Sequence, residues 1–240
     1  MCGRYVTPAE YEMEYEFFIG RKAPNRWWTE TFERRYNVAP QQGNPKNFVP
    51  VIREDDDGEL ELVWLQWWLL PFWSKEARIK FSTFNARVEN VKNAASFRDP
   101  LKRRRCIIPA VGWYEWQELP TGNLPWYLHA QNGKLLAFAG LWDHWVDKAT
   151  GEVIESCSIV VGPANKTFTP IHDRMPFALN AEQATRWLDR GMIDAGKALE
   201  LLKPNADDAI AFHRVDRWVS NARNQGEELI RVVEAGNEGS

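Results

Sequence analysis

Short runs of alternating apolar and polar residues predict several β-strands in this chain. An acidic turn, DDDG at 55–58, separates two such runs and is typical of a β-hairpin. Asn132-Gly133 separates two others and is a strong hairpin signal, because both residues readily adopt the backbone conformation that a tight turn requires. The predicted strands are 47–54, 59–68, 124–130, 135–142 and 153–161.

Capping and stop signals predict three helices. Thr7 is a suitable N-cap for a helix that ends near Gly20, and Asn180 for one that runs to Gly191. A shorter helix is predicted within 193–204, where Pro204 ends it. Because most strands are joined as hairpins, we expect an α+β fold with largely antiparallel sheets. Without an internal linker, one domain over 1–233 is predicted, followed by a loose tail at 234–240.

Composition narrows the functional classes. The chain has 240 residues, 44% of them hydrophobic, and its apolar runs are all shorter than the roughly 18 residues of a membrane span. With no recognisable signal peptide, a cytoplasmic protein is expected, associated with the nucleoid if the source is bacterial. Three scattered cysteines, Cys2, Cys106 and Cys157, argue against a disulfide framework and against a zinc site. We expect no metal and no cofactor.

The charge balance limits binding to nucleic acids. A formal net charge of −3 means that any DNA or RNA contact depends on a local basic patch. The most basic run is 102–105 (KRRR), which we predict to be a solvated face.

Polar residues stand among apolar ones in three segments. Asn85 and Arg87 are two apart, so on a strand they share a face. Glu115 lies between aromatic residues, and burial there would raise its pKa and suit it to acid–base chemistry; a solvated face is the alternative. His172 and Arg174 lie in a proline-bounded segment that is able to fix a histidine in place, although loop histidines are also common on plain surfaces.

Cys2 directly follows the initiator methionine. If Met1 is removed, Cys2 carries a free α-amine beside its thiol, a 1,2-aminothiol that no internal cysteine offers. The alternative is a frayed terminus with a chance cysteine. The capped helix predicted just after this stretch favours an ordered terminus.

Six separated motifs resemble the SRAP family, the SOS response-associated peptidases, in the right order over nearly the whole chain. They are MCGRY at 1–5, YNVAP at 36–40, NARVE at 85–89, GWYEW at 112–116, IHDRMP at 171–176 and NQGEELI at 224–230. The resemblance implies a barrel-like β-sheet core with flanking helices. It also implies recognition of abasic sites in single-stranded DNA and a covalent crosslink through the N-terminal cysteine.

The resemblance also implies roles for individual residues. The catalytic group would be Cys2, Asn85, Glu115 and His172. The DNA-binding group would be Arg4, Asn37, Pro40, Phe72, Trp73, Arg87 and Arg174. Internal salt bridges are the alternative for the arginines, and packing in the core is the alternative for Phe72 and Trp73. The expected partner is single-stranded DNA with abasic sites, bound by a monomer away from any membrane.

The chain departs from the family pattern at Trp68, which stands where relatives commonly carry glycine. An indole there either obstructs a close backbone approach or adds a stacking face for a base. Two other functional classes stay open. One is a cysteine peptidase or amidase with Cys2 as nucleophile and His172 as base, and the other is a non-covalent DNA-binding module.

Overall fold

The computed structural model describes residues 2–9 and 32–233. Within these ranges the strands are β1 (Tyr5–Val6), β2 (Phe48–Glu54), β3 (Leu60–Trp67), β4 (Asn85–Arg87), β5 (Arg105–Ala110), β6 (Gly112–Gln117), β7 (Leu124–Ala130), β8 (Leu136–Val146), β9 (Val153–Pro163), β10 (Arg174–Pro176) and β11 (Ile210–Arg214). The α-helices are α1 (Arg98–Arg103), α2 (Ala181–Leu188) and α3 (Ala195–Glu200). The body of the helix predicted over 7–20 and the tail at 234–240 lie outside the described residues.

Five strands close into a barrel in the order β9-β3-β2-β5-β8, with β8 pairing back onto β9. The β3–β9 pair is parallel and the other four pairs are antiparallel. Because successive side chains of a strand point to opposite faces, the apolar residues divide between two cores. Ile108 and Ile159 belong to one core, and their neighbours Ile107 and Val160 to the other.

A second, antiparallel sheet flanks the barrel in the order β1-β6-β7-β11. One face, with Trp113 and Leu128, joins the core that contains Ile108. The opposite face carries Tyr114 and Tyr127 and is covered by the C-terminal segment around Val219. The α+β fold with a barrel-like, mostly antiparallel core is thus confirmed.

Local capping signals explain two of the helices. Asn180 and Gln183 form the reciprocal capping box at the start of α2, as the sequence predicts, although the helix ends at Leu188 rather than near Gly191. The side chain of Asp194 caps α3. Both helices pack on the core that contains Ile107 and Val160, where Trp187 of α2 is fully buried.

The hairpin predicted at Asn132-Gly133 is wrong. The turn itself forms, with Gly133 at φ 72°, but it joins two strands of different sheets. β7 pairs with β6 and β11, whereas β8 pairs with β5 and β9. A local turn signal reports the reversal of the chain but not which neighbours each strand finds afterwards.

The prediction of a solvated face over 102–105 is wrong for Arg105, which is buried. Its guanidinium donates to the backbone carbonyls of Leu101, Lys102, Trp187 and Asp189, at the ends of α1 and α2. A buried arginine is stable here because these carbonyls, left without partners at the ends of the helices, accept hydrogen bonds from its guanidinium. In the described part of the chain, none of the helices has the length and apolarity to span a membrane.

Candidate active site

The N-terminal stretch is held against β6, the strand that carries Glu115. Tyr5 pairs with Trp113, and the Tyr114 N–H donates to the Arg4 carbonyl oxygen at 2.9 Å. Continued by two residues, this register brings Gly3 opposite Glu115. Gly112 permits the close packing at the start of β6, since a Cβ there would lie 2.3 Å from the Leu128 carbonyl oxygen.

Cys2 is tied to a second strand by Asn85. The Asn85 side-chain amide donates from Nδ2 to the Cys2 carbonyl oxygen at 2.8 Å, and β4 itself pairs with β9 on the barrel. The Asn85 Oδ1 atom is buried and accepts no hydrogen bond from the described residues. Cys2 is fully buried, and this burial, together with the Glu115 carboxylate, raises the pKa of its thiol.

Glu115 is buried in β6, so the solvated-face alternative is wrong. Burial raises the pKa of this carboxyl to about 7, because desolvation disfavours its charged form. A carboxyl with a pKa near neutrality exchanges protons in either direction at physiological pH, which suits general acid–base catalysis.

His172 faces Glu115. Its Nε2 lies 3.8 Å from Glu115 Oε2, beyond direct hydrogen bonding but close enough for a reacting oxygen to bridge the two. Its Nδ1 accepts the Arg174 N–H at 2.9 Å, which places the proton of the neutral ring on Nε2. Burial lowers the pKa of His172 although Asp173 lies 3.2 Å from Nδ1. Cys2, Asn85, Glu115 and His172, four distant sequence positions, therefore meet around one point.

Two residues predicted to bind DNA have internal partners. The Arg4 guanidinium donates to Asn37 Oδ1 at 2.8 Å and to the Val219 carbonyl oxygen at 2.9 Å, and it lies over the Trp116 ring. Asn37 is buried, and its Nδ2 donates to three backbone carbonyls between 219 and 224. Both side chains join the N-terminal stretch to the C-terminal segment that covers the flanking sheet.

Replacing Asn37 with alanine is expected to destabilise the fold by about 2–4 kcal/mol, because three carbonyls and the Arg4 guanidinium lose a buried partner. Urea denaturation followed by tryptophan fluorescence measures the difference. The exposed Asn123→Ala variant is the control. A loss below about 0.5 kcal/mol, the range of an ordinary surface substitution, would show that this junction contributes little.

The other predicted phosphate ligands differ in exposure. Arg87 is exposed at the end of β4, two residues beyond Asn85. Arg174 pairs with the Glu89 carboxylate, so the internal salt-bridge alternative applies to it. Desolvation alone would raise the pKa of Glu89, but its hydrogen bonds, including the one from Arg174, lower it. Pro40 is partly buried, two residues after the bridge between Val38 and Tyr5.

The loop after β3 presents large aromatic side chains. Phe72 is 50% exposed and Trp73 is 44% exposed, while the Trp73 indole donates to the Ala95 carbonyl oxygen. Trp68 stands at the position where the family pattern has glycine. It donates from its indole to the Phe81 carbonyl oxygen at 3.2 Å and packs against Phe84. Its indole is thus committed to holding the segment that leads into β4.

Sequence reasoning missed Asp143, a fully buried carboxylate on β8. It accepts the Phe72 N–H at 3.1 Å and lies 3.1 Å from Arg104 Nε. A lone acidic residue inside the apolar run 136–146 (LAFAGLWDHWV) was the available signal. Among the described residues, no group of histidine, cysteine and acidic side chains is arranged to hold a metal ion.

The sequence is similar to that of known proteins over nearly its whole length. A family model described as SOS response associated peptidase (SRAP) matches residues 1–222. The abasic site processing protein YoqW of Bacillus subtilis is 34% identical over 232 residues, covering 96% of this chain and 99% of the relative. The abasic site processing protein HMCES of Gallus gallus is 30% identical, covering 98% of this chain and 79% of that protein.

A solved structure shares the fold. The crystal structure of a protein from Bacteroides thetaiotaomicron matches with a TM-score of 0.80 at 22% identity, over 98% of this chain and 100% of that one.

Proposed function

The chain belongs to the SOS response-associated peptidase family, and from this premise we propose that it processes abasic sites in single-stranded DNA by crosslinking to them covalently. The observation that carries the proposal is the convergence of Cys2, Asn85, Glu115 and His172. Several similar proteins are named abasic site processing proteins, which supports the same substrate.

The proposed reaction uses both groups of the mature terminus. Removal of Met1 frees the α-amine of Cys2, whose reference pKa of about 7.7–8.0 leaves a useful neutral fraction at physiological pH. This amine attacks the C1′ aldehyde of the ring-opened deoxyribose, and loss of one water gives an imine. The thiol sulfur then adds to the imine carbon while its proton passes to the nitrogen. The product is a five-membered thiazolidine, and the intramolecular second step benefits from a high effective molarity.

Glu115 and His172 move the protons of this sequence. The Glu115 carboxylate accepts a proton from the attacking amine and returns it to the departing oxygen, a cycle for which a pKa of about 7 is suited. His172 Nε2 carries the proton of the neutral ring and is placed to donate to the sugar oxygen during ring opening. Asn85 fixes the Cys2 backbone through Nδ2 and leaves Oδ1 to accept from the freed amine.

The raised pKa of the Cys2 thiol favours this condensation over peptide hydrolysis with Cys2 as the nucleophile. A cysteine peptidase needs a thiolate, which a basic neighbour normally stabilises, whereas burial and Glu115 both oppose the thiolate here. In the condensation the amine attacks first, so a protonated thiol does not block the initial step.

DNA would contact Arg87, Phe72 and Trp73, whose side chains are exposed. Arg87 and Arg174 are both candidate phosphate ligands: Arg87 is exposed two residues beyond Asn85, and both arginines interact with the Glu89 carboxylate. Exposed aromatic side chains stack on unpaired bases without regard to sequence. Arg4 and Asn37 contribute indirectly, by holding the N-terminal stretch to the C-terminal segment.

The proposal is tested by incubating the processed protein with a single-stranded oligonucleotide that carries one abasic site. We expect a species that resists denaturing electrophoresis, with the summed mass of protein and oligonucleotide less one water. The same oligonucleotide with an intact base at that position is the control. If intact mass analysis finds no adduct on protein that lacks Met1, the covalent proposal is wrong.

A further inference from the structure

One face of β6 meets the loop that joins β9 to β10, residues 164–173, which we name the His172 loop. Trp113, Glu115 and Gln117 share that face of the strand, because they are two residues apart. Trp113 packs edge-on against Phe168 of the loop, with the ring centres 6.4 Å apart. Glu115 faces the histidine itself. Gln117 is the next side chain on the same face.

Gln117 joins the middle of the His172 loop to the flanking sheet. Its Nε2 donates to the Pro170 carbonyl oxygen at 3.0 Å, and its Oε1 accepts the Trp126 indole N–H at 3.2 Å. An indole nitrogen only donates and a backbone carbonyl only accepts, so these two partners determine which way the amide points. Pro170 precedes His172 by two residues. The bond therefore holds the backbone just before the histidine.

The two ends of the His172 loop are held separately. Near its start, the Asn165 side chain accepts the Phe168 N–H at 2.9 Å and so closes a turn within the loop. At its end, β10 begins at Arg174 and pairs with β9. The bond from Gln117 lies between these two anchors, and it ties the loop to the strand that carries Glu115.

The distance between the two proposed proton-transfer groups depends on this loop. Glu115 is held in β6, which pairs with β1 on one side and with β7 on the other. His172 lies in the loop, and its Nε2 is 3.8 Å from Glu115 Oε2. One reacting oxygen contacts both groups only while that distance is kept. A displacement of about 1 Å at a reacting centre costs up to about 10²-fold in rate.

We propose that Gln117 is a positioning residue for His172: through Pro170 it holds the histidine at the distance from Glu115 at which one sugar oxygen contacts both. This inference rests on the proposed function and adds the residue that keeps its two proton-transfer groups together. Gln117 is half-buried at the end of β6, so its replacement leaves the apolar cores intact.

Gln117→Met tests the inference, because it keeps the length of the side chain and removes both hydrogen bonds without adding a charge. We expect the crosslinking rate of the processed protein with an abasic-site oligonucleotide to fall about 10-fold. Binding of an oligonucleotide with a tetrahydrofuran analogue, which lacks the aldehyde, should change by less than about 2-fold, because the lost interaction serves the reaction and not binding. Gln131→Met, which removes an exposed amide in the turn after β7, should keep the wild-type rate.

A double-mutant cycle shows whether Gln117 acts through His172. His172→Ala is expected to lower the wild-type rate by about 10²-fold or more, as for the loss of a general acid. In the Gln117→Met background the same substitution should cost about 10-fold less, because the ring is already misplaced there. General damage to the fold would instead make the two effects multiply.

NMR titration of the histidine rings gives a second readout, with the His172 signal identified by its absence in His172→Ala. Burial lowers the pKa of His172 in the wild-type protein. We expect this pKa to rise towards its ordinary value in Gln117→Met, because a loop released from β6 exposes the ring to water.

The outcomes separate the two proposals. If wild-type protein crosslinks and Gln117→Met crosslinks at the same rate, Gln117 positions nothing that the reaction uses, and the proposed function stands. If the rate falls but the two substitutions act independently and the pKa of His172 is unchanged, Gln117 does not act through the histidine, and the inference is wrong. If wild-type protein forms no adduct, both proposals fail.

Discussion

Cys2→Ser is expected to reduce the stable DNA adduct to background, a loss of at least about 100-fold, because a serine terminus keeps the amine but has no sulfur to close the thiazolidine. The amine still forms an imine with the aldehyde, and that bond hydrolyses during denaturing electrophoresis. Borohydride reduction before denaturation is therefore expected to recover a covalent species in the serine variant. The measurement is the crosslinked fraction with and without borohydride.

Cys106→Ala is the matched control for this experiment. Cys106 is a second buried thiol in the same apolar core as Cys2, so its removal tests for general damage to that core. We expect Cys106→Ala to crosslink at the wild-type level. A stable adduct in Cys2→Ser without borohydride would contradict thiazolidine formation, and hydrolysis of a peptide by wild-type but not Cys2→Ser would favour the peptidase alternative.

Local patterns were sufficient to predict elements but not all of their partners. The hairpin of β2 and β3 follows from its acidic turn, and the capping box of α2 from Asn180 and Gln183. The pairing of β7 and β8 with other strands depends on distant segments, about which Asn132-Gly133 carries no information. Arg105 was misjudged for the same reason, since its four carbonyl partners belong to two helices that meet only in the fold.

Residue patterns indicated candidates for the site, and the family resemblance supplied their proposed roles. Glu115 among aromatic residues and Cys2 at the terminus are unusual for their surroundings. Arg4 and Asn37 look equally unusual, yet they bond to each other and to the chain near Val219. Residue type alone cannot separate a polar group that awaits a ligand from one that is satisfied by its own chain.

Glu115 also links the chemistry to stability. Its pKa in the folded protein, about 7, lies above the ordinary value of 4.5, so the folded state increasingly resists ionisation as the pH rises from 4.5 to 7. Stability therefore decreases over that interval, by up to about 3 kcal/mol at 1.36 kcal/mol per pH unit. In the proposed reaction this carboxyl exchanges protons, which gives the destabilising buried group a role.

Glu115→Gln is accordingly expected to lower the crosslinking rate by about 10²- to 10⁴-fold while it stabilises the protein above pH 7. The neutral amide has a similar shape but neither accepts nor returns a proton, and it removes the desolvation penalty of the carboxylate. Rates against pH should lose the Glu115 inflection near 7, and urea denaturation should show a stability gain at pH 8 that disappears by about pH 4.5. The exposed Glu152→Gln variant should change neither quantity. A variant that is slow but no more stable at pH 8 would mean that a fixed partner, rather than the reaction, satisfies this carboxylate.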